Sequence, residues 1–280
     1  MASAASHKRA ASTAEPKILL VGASRGLGLG LAKSFAAHGW TVVATERSAS
    51  GGEGLAAAAA AANGHIRTEL VDINDPQAVQ RLHAQLNGEL FDAIFIVAGI
   101  SEKDPTQPLH EVPLEEAIQV FVLNAYSPMC FAETFLDLLK PDGTLAIMTS
   151  RMGSLPLLST ATDGSWEVSR ASKAALNMLT RCFHQRHQDG RRTILLMHPG
   201  WVKTDMGGKD APVNLHTSFE GLYAVRALVD ALFADGEIES TAVVLMHSYL
   251  SPEHEFLIKK IFAERAPNIP VWISYVELQK

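Results

Sequence analysis

The chain is 280 residues long, 47% apolar and 19% charged, which suits one large core in a single soluble α/β domain. Its formal net charge of −6 offers no attraction to phosphate backbones or anionic lipid, so the composition argues against nucleic-acid and membrane partners and leaves a small molecule as the expected one. Two cysteines, Cys130 and Cys182, lie far apart without metal-ligand spacing, which argues against a disulfide framework or a zinc site and suits a reducing, cytoplasmic compartment.

Residues 1–16, MASAASHKRAASTAEP, are rich in alanine and serine and lack the apolar stretch of a secretion signal. They are expected to form a disordered tail, with an organelle-targeting peptide as the other reading. From Lys17 onward, short aliphatic runs alternate with longer amphipathic stretches, the pattern of βαβ units whose parallel sheet is covered on both faces. In chain order this predicts strand Ile18–Val21, helix Leu27–Ala37, strand Thr41–Thr45, an alanine-rich helix at Ala56–Ala62, strand Ile66–Val71 and helix Pro76–Leu86. There follow strand Ala93–Val97, a long helix Leu114–Leu139 kinked at Pro128, and strand Thr144–Thr149. Helix Glu167–His187, strand Thr193–Met197, helix Phe219–Phe233 and strand Thr241–Met246 complete the series. The expectation is an α/β fold with a doubly wound, seven-stranded parallel sheet. It is one domain over residues 17–280, of which 252–280 form an atypical C-terminal extension.

The first strand runs directly into Gly22-Ala23-Ser24-Arg25-Gly26-Leu27-Gly28 and then into a helix. Glycines there permit a tight turn and close backbone approach, so the N–H groups and positive end of the helix can face a pyrophosphate. A glycine-rich turn without a ligand is disfavoured, because the three glycines stand at these offsets directly after the first strand. This run resembles the glycine motif of the short-chain dehydrogenase/reductase family, and the resemblance extends through most of the chain. It implies a Rossmann fold and a nicotinamide dinucleotide bound by Gly22, Ser24, Arg25, Gly26, Leu27 and Gly28.

Strand two ends in Thr45-Glu46-Arg47, where such a fold meets the adenosine ribose. Glu46 suits the 2′-hydroxyl of NAD, whereas Arg25 and Arg47 suit the 2′-phosphate of NADP. NADP is expected, two cations outvoting one carboxylate that turns to solvent, with NAD as the alternative. Asp72-Ile73 resembles the family's adenine-contacting pair, and Val97-Ala98-Gly99 its N-A-G turn with valine in place of asparagine.

The resemblance also implies a catalytic tetrad of Asn, Ser, Tyr and Lys. Ser150 matches the serine that hydrogen-bonds the substrate oxygen, Asn124 the residue that holds a water near the lysine, and Lys173 the lysine that grips the nicotinamide ribose. Four residues before Lys173, where the family carries tyrosine, stands Ser169. A phenol of pKa about 10, lowered by an ammonium, exchanges a proton with substrate near neutral pH. A serine hydroxyl is far less acidic and shorter by a ring. The remaining tyrosines, Tyr126, Tyr223, Tyr249 and Tyr275, have no lysine four residues later. After strand six, His198-Pro199-Gly200-Trp201-Val202-Lys203-Thr204 resembles the family's P-G-x-x-x-T segment, in which Pro199, Gly200, Val202 and Thr204 meet the nicotinamide.

His184 and His187 have metal-capable spacing but no third ligand, and no metal is expected. The function implied is an NAD(P)-dependent oxidoreductase acting on a carbonyl or alcohol with a non-standard tetrad. The alternatives are a redox-neutral lyase, isomerase or cyclase, a nucleotide-binding regulator, or a deliberate Tyr→Ser variant. The family's habit of pairing through the helices expected at Leu114–Leu139 and Glu167–His187 implies a homodimer or homotetramer.

Overall fold

Strands β1 (Lys17–Val21), β2 (Thr41–Glu46), β3 (Ile66–Leu70), β4 (Phe91–Ile96), β5 (Leu139–Met148), β6 (Thr193–His198) and β7 (Ala242–Leu245) form one sheet in the order β3-β2-β1-β4-β5-β6-β7. The computed structural model describes residues 15–48, 53–154, 166–187, 192–219 and 242–245. The first six strands pair in parallel, with β1 registered on β2 from Lys17↔Thr41 to Val21↔Thr45 and on β4 from Ile18↔Ala93 to Val21↔Ile96. Ile18, Leu19 and Leu20 are all 0% exposed. That is why β1 reads as an unbroken apolar run: both faces of the sheet are covered. The strand order reverses between β1 and β4, and at such a switch point the loops leaving the strands' carboxyl ends part to leave a crevice.

Helices α1 (Gly26–Ala37), α2 (Glu53–Ala61), α3 (Pro76–Gln85), α4 (Leu114–Phe121), α5 (Ser127–Phe135) and α6 (Glu167–Arg186) connect the strands. Helix α3 starts where it does because the Asp75 carboxylate accepts from the Gln77 N–H at 2.9 Å, with Pro76 in the first turn. Such a cap contributes about 1 kcal/mol. The stacked rings of Phe131 and Phe135, with centroids 4.1 Å apart and both side chains 0% exposed, anchor α5 in the central core with Phe91 and Phe183.

Two elements differ from expectation. The single helix over Leu114–Leu139 is divided into α4, a π-turn at Val122–Tyr126, α5 and a 3-10 turn at Leu136–Leu138. Pro128 has no N–H to give the carbonyl of Asn124 one α-turn back, and its ring would strike that carbonyl. Widening the preceding turn relieves the clash, and the π-turn carries Asn124 inward to 1% exposure. Leu139 belongs to β5, which therefore begins before Thr144, with a register shift against β4 between Phe91 and Ala93.

The chain divides into two compact units, Met1–Val244 and Leu245–Lys280. Of the second, only Leu245 is described. The expected tail before Glu15, most of the helix at Phe219–Phe233, and the extension 252–280 lie outside the described residues, as do Tyr223, Tyr249 and Tyr275. Among the described residues no helix is long and apolar enough to cross a membrane, and no group of histidine, cysteine or acidic side chains is placed to hold a metal.

Candidate active site

The turn after β1 is closed so tightly that only glycine fits at its ends. Gly22 has φ +90, and a Cβ on it would stand 2.8 Å from the Ala98 backbone; a Cβ on Gly28 would stand 2.0 Å from the Gly22 carbonyl oxygen. Hydrogen bonds hold this geometry. Ala23 N–H donates to Thr45 O at 2.7 Å, while Val97 and Ala98 N–H both donate to Val21 O, at 2.9 and 3.1 Å. The start of α1 is thereby pressed against the mouth of the crevice, with Ser24, Gly26 and Leu27 half-buried and Arg25 exposed. A helix end of this kind presents backbone N–H groups and a positive dipole to an anion, so the glycine cradle fits a pyrophosphate.

At the end of β2 the carboxylate expected to turn outward does not. Glu46 is 8% exposed, and its Oε2 is buried without a hydrogen-bond partner among the described residues. The residues before it in β2, Val42–Thr45, are 0–1% exposed, so Glu46 follows directly on the buried part of the strand. An orphaned buried acceptor is costly until a donor reaches it. Arg47 is exposed, and Arg25 Nη1 is engaged with Asp205 at 3.1 Å. Both partners of that pair are solvent-exposed, so it costs little to exchange. Asp72 Oδ1 accepts from Asn74 N–H at 2.9 Å, and Ile73 packs into the core cluster beside Val71 and Val79.

Past the crevice, Gly99 lies between Asn124 and Lys173. A Cβ on it would be 3.1 Å from Asn124 Oδ1 and 3.7 Å from Lys173 Nζ. Asn124 clamps Ile100 through both backbone groups: Oδ1 accepts from the Ile100 N–H at 2.9 Å, and Nδ2 donates to the Ile100 carbonyl at 2.8 Å. Its second amide proton goes to Ser172 Oγ at 3.0 Å. Both amide donors are thus used on the protein. Lys173 Nζ donates to Met148 O at 2.9 Å, and burial pulls the ammonium's pKa from 10.5 to about 8. Ser150, at the end of β5, is half-buried, and its hydroxyl accepts from Met152 N–H at 3.2 Å in opening a 3-10 turn. A Cβ on Gly153 in that turn would be 2.7 Å from the Lys173 backbone, so the loop bearing Ser150 rests on α6.

Ser169 lies one turn before Lys173 on α6 and is buried. Its hydroxyl donates to Glu102 Oε2, and its backbone N–H reaches Glu102 Oε1 at 3.4 Å. Glu102 is 5% exposed and was not legible from motif reading; its position three residues after the Gly99 turn was the one available signal. The same loop braces the start of α6, where Trp166, at φ +68, donates its N–H to Pro105 O at 2.7 Å.

The segment after β6 folds back beside the glycine turn. Pro199 and Val202 are buried, Gly200 has φ +86, and the Thr204 methyl lies 3.7 Å from where a Cβ on Gly26 would stand. The Thr204 hydroxyl accepts from Gly207 N–H at 3.0 Å. Gly22 thus meets Ala98, Gly99 meets Asn124 and Lys173, and Gly26 meets Thr204, so these expected site residues are neighbours at the carboxyl ends of the strands.

A family model for short chain dehydrogenases matches residues 16–213. Among curated proteins, the 1-hydroxy-2-glutathionyl-2-methyl-3-butene dehydrogenase of a Rhodococcus species is 32% identical over 197 residues, covering 70% of this chain and 81% of that protein. Among solved structures, a Burkholderia multivorans protein described as a short-chain dehydrogenase/reductase, with bound NADP, is 38% identical with a TM-score of 0.74, covering 82% of this chain and 96% of its own. A carbonyl reductase from Pseudomonas aeruginosa in complex with NADP is 35% identical with a TM-score of 0.71 over the same shares, 82% and 96%.

Proposed function

This chain belongs to the short chain dehydrogenase family, and from that premise we propose that it is an NADP-dependent oxidoreductase interconverting a carbonyl compound and its alcohol. The observation that carries this reading is that the Ala98–Gly99 turn touches the glycine cradle on one side, at Gly22, and the Lys173 ammonium on the other, at the point where the sheet order reverses. Gly22, Ser24, Gly26, Leu27 and Gly28 would hold the pyrophosphate, Asp72 and Ile73 the adenine, and Ala98, Gly99 and Lys173 the nicotinamide ribose. Pro199, Gly200, Val202 and Thr204 would hold the carboxamide. When bound, the dinucleotide supplies or accepts a hydride.

NADP is favoured over NAD by the two similar structures that hold it and by Arg25 and Arg47, exposed at the ribose end. The unpartnered Glu46 Oε2 supports some affinity for NAD, because a 2′-hydroxyl would give it the donor it lacks.

Ser150 would donate to the substrate oxygen, with Asn124 holding the Gly99–Ile100 turn against the pocket. Ser169 takes the position of the family's tyrosine, as its spacing to Lys173 and its burial at the start of α6 support. The exposed apolar residues Leu114 and Ile118 on α4 and Met178 on α6 support pairing of copies through those helices, as a homodimer or homotetramer.

Titration with NADPH and with NADH, followed by nicotinamide fluorescence, tests the cofactor reading. Saturable binding with the tighter constant for NADPH is expected, and absence of a saturable response to either would overturn it.

A further inference from the structure

The third glycine of α1 marks a contact that the dinucleotide turn does not explain. Gly26 and Gly28 answer to the tight turn after β1, but Gly30 lies in the second turn of the helix, where glycine costs helix stability relative to alanine. A Cβ on Gly30 would fall inside the Phe219 ring, overlapping Cζ and Cε2 and standing 2.7 Å from Cε1. The absent side chain is what lets the tip of this ring, on a residue 8% exposed, rest against α1.

Phe219 ends a described segment that begins at Pro199, and the two ends of that segment are tied together. Val202 and Val213 form a parallel bridge, with Lys203 N–H donating to Val213 O at 2.8 Å and Val213 N–H to Trp201 O at 3.2 Å. Asn214 Oδ1 accepts from Thr217 N–H at 2.8 Å and so caps the helical residues 215–219. Ser218, 0% exposed, donates its hydroxyl to Pro199 O at 2.8 Å. A shift of Phe219 is thereby passed to Pro199 and Val202. Nearer its start the segment meets α1 through the Thr204 methyl beside Gly26, and the end of the glycine turn through the Arg25–Asp205 pair, both of whose partners are exposed. Exposed pairs hold weakly, which leaves the buried ring as the firm attachment.

We propose that Phe219 seated on Gly30 is the anchor that sets the position of the nicotinamide-binding segment, which makes both of them positioning residues for hydride transfer. This rests on the reading of Pro199, Gly200, Val202 and Thr204 as the residues that hold the carboxamide. Helix α1 then serves both halves of the dinucleotide. Its first turn faces the pyrophosphate, and its second fixes, through Phe219 and Ser218, where the carboxamide is held. A misplacement of about 1 Å can cost roughly 100-fold in rate, so a contact that fixes this segment acts on turnover without touching substrate.

The competing role is core filling, in which loss of the ring costs stability alone. Core filling does not by itself call for a glycine, because a ring and a helix can pack around an alanine methyl at an ordinary separation of about 3.5–4.0 Å. The closer seat fixes the depth of the ring on α1, and with it the position of Pro199.

The test uses the full chain with NADPH and with 2′-phospho-ADP-ribose, which carries the pyrophosphate and the 2′-phosphate but no nicotinamide. Gly30→Ala is expected to weaken NADPH about tenfold while 2′-phospho-ADP-ribose stays within about twofold of wild type. Phe219→Leu removes the ring atoms Cζ, Cε1 and Cε2 that a methyl at residue 30 would meet. The double variant Gly30→Ala/Phe219→Leu should therefore regain NADPH affinity to within about threefold of wild type. A second readout needs no cofactor. Hydrogen exchange of the backbone amides of residues 200–207 in the unliganded chain should quicken about tenfold in Gly30→Ala and return toward wild type in the double variant. Equal weakening of the two ligands would assign Gly30 to the shape of α1 alone, and unchanged NADPH affinity would mean that the ring swings aside without moving the segment. Either result, or no rescue by Phe219→Leu, overturns the anchor. Should Gly30→Ala not fold, Phe219→Ala must weaken NADPH and quicken the same exchange, or the proposal fails. If the wild type binds NADPH no more tightly than 2′-phospho-ADP-ribose, the reading of Pro199–Thr204 fails, while the exchange over residues 200–207 still decides whether the anchor exists.

Discussion

Lys173 donates to the carbonyl of Met148 at 2.9 Å, tying the first half of α6 to the last residue of β5. The bond holds an ammonium at the crevice with little water around it, and burial lowers its pKa to about 8. The unfolded chain has a lysine of ordinary pKa, 10.5. Between those values the unfolded state binds more protons than the folded one, so this residue's contribution makes stability rise as pH climbs from about 8 to about 10.5. Below about 8 both states are charged, and the desolvation penalty is present in full. Lys173→Met is therefore expected to be more stable than wild type at pH 7 by about 2 kcal/mol, allowing for partial exposure. The gap should narrow toward pH 10. Urea denaturation of both proteins at three pH values checks this, and the variant should also lose turnover.

The glycine turn makes a steric claim that one methyl group can test. A Cβ on Gly28 would overlap the Gly22 carbonyl oxygen at 2.0 Å, so the turn must shift away from Val21 and Ala98. Gly28→Ala is expected to weaken NADPH binding at least tenfold, about 1.4 kcal/mol, and to lower the melting temperature by several degrees. Fluorescence titration and a thermal melt measure the two effects separately.

Much of this was legible because the signals were local. The strands are buried on both faces, so β1 shows as Ile18-Leu19-Leu20-Val21, and the glycines announce themselves by following it directly. The π-turn at Val122–Tyr126 was not legible, because its cause is a conflict between Pro128 and the carbonyl of Asn124 that a sequence presents only as a proline in a helix. The start of β5 was hidden behind Pro141-Asp142-Gly143, residues that read as a turn but lie inside a strand whose register slips. Glu102 was missed for a different reason. Its partner is 67 residues away, and neither spacing nor periodicity links a loop acid to the first turn of a distant helix.

Cofactor choice rests on the balance at the end of β2. Because Glu46 Oε2 is buried without a partner, it repels a 2′-phosphate more than a solvent-exposed carboxylate would. Glu46→Gln is expected to tighten NADPH about tenfold relative to NADH, and Arg47→Ala to weaken NADPH more than NADH. Dissociation constants for both cofactors with each variant check this; a larger loss of NADH affinity in Arg47→Ala would assign the pocket to Glu46 alone.

Replacing Ser169 with tyrosine asks what the site does. In a reductase the phenol would take over the proton transfer, and Ser169→Tyr is expected to raise kcat for carbonyl reduction about 100-fold, the lower end of what a positioned acid contributes. NADPH affinity should change little. In a redox-neutral enzyme the same ring would fill the substrate cavity and abolish activity, so the sign of the change separates the two, read by steady-state assays with Lys173→Ala as control.

The most direct measurement of the proposed function is carbonyl-dependent oxidation of NADPH by the unaltered chain, followed by loss of the reduced nicotinamide's absorbance across a panel of aldehydes, ketones and α-diketones. Saturable consumption that requires the carbonyl and disappears in Lys173→Ala is the expected result. Tight NADPH binding with no consumption over the whole panel, unchanged by Ser169→Tyr, would contradict it and leave a protein that holds the dinucleotide without transferring hydride.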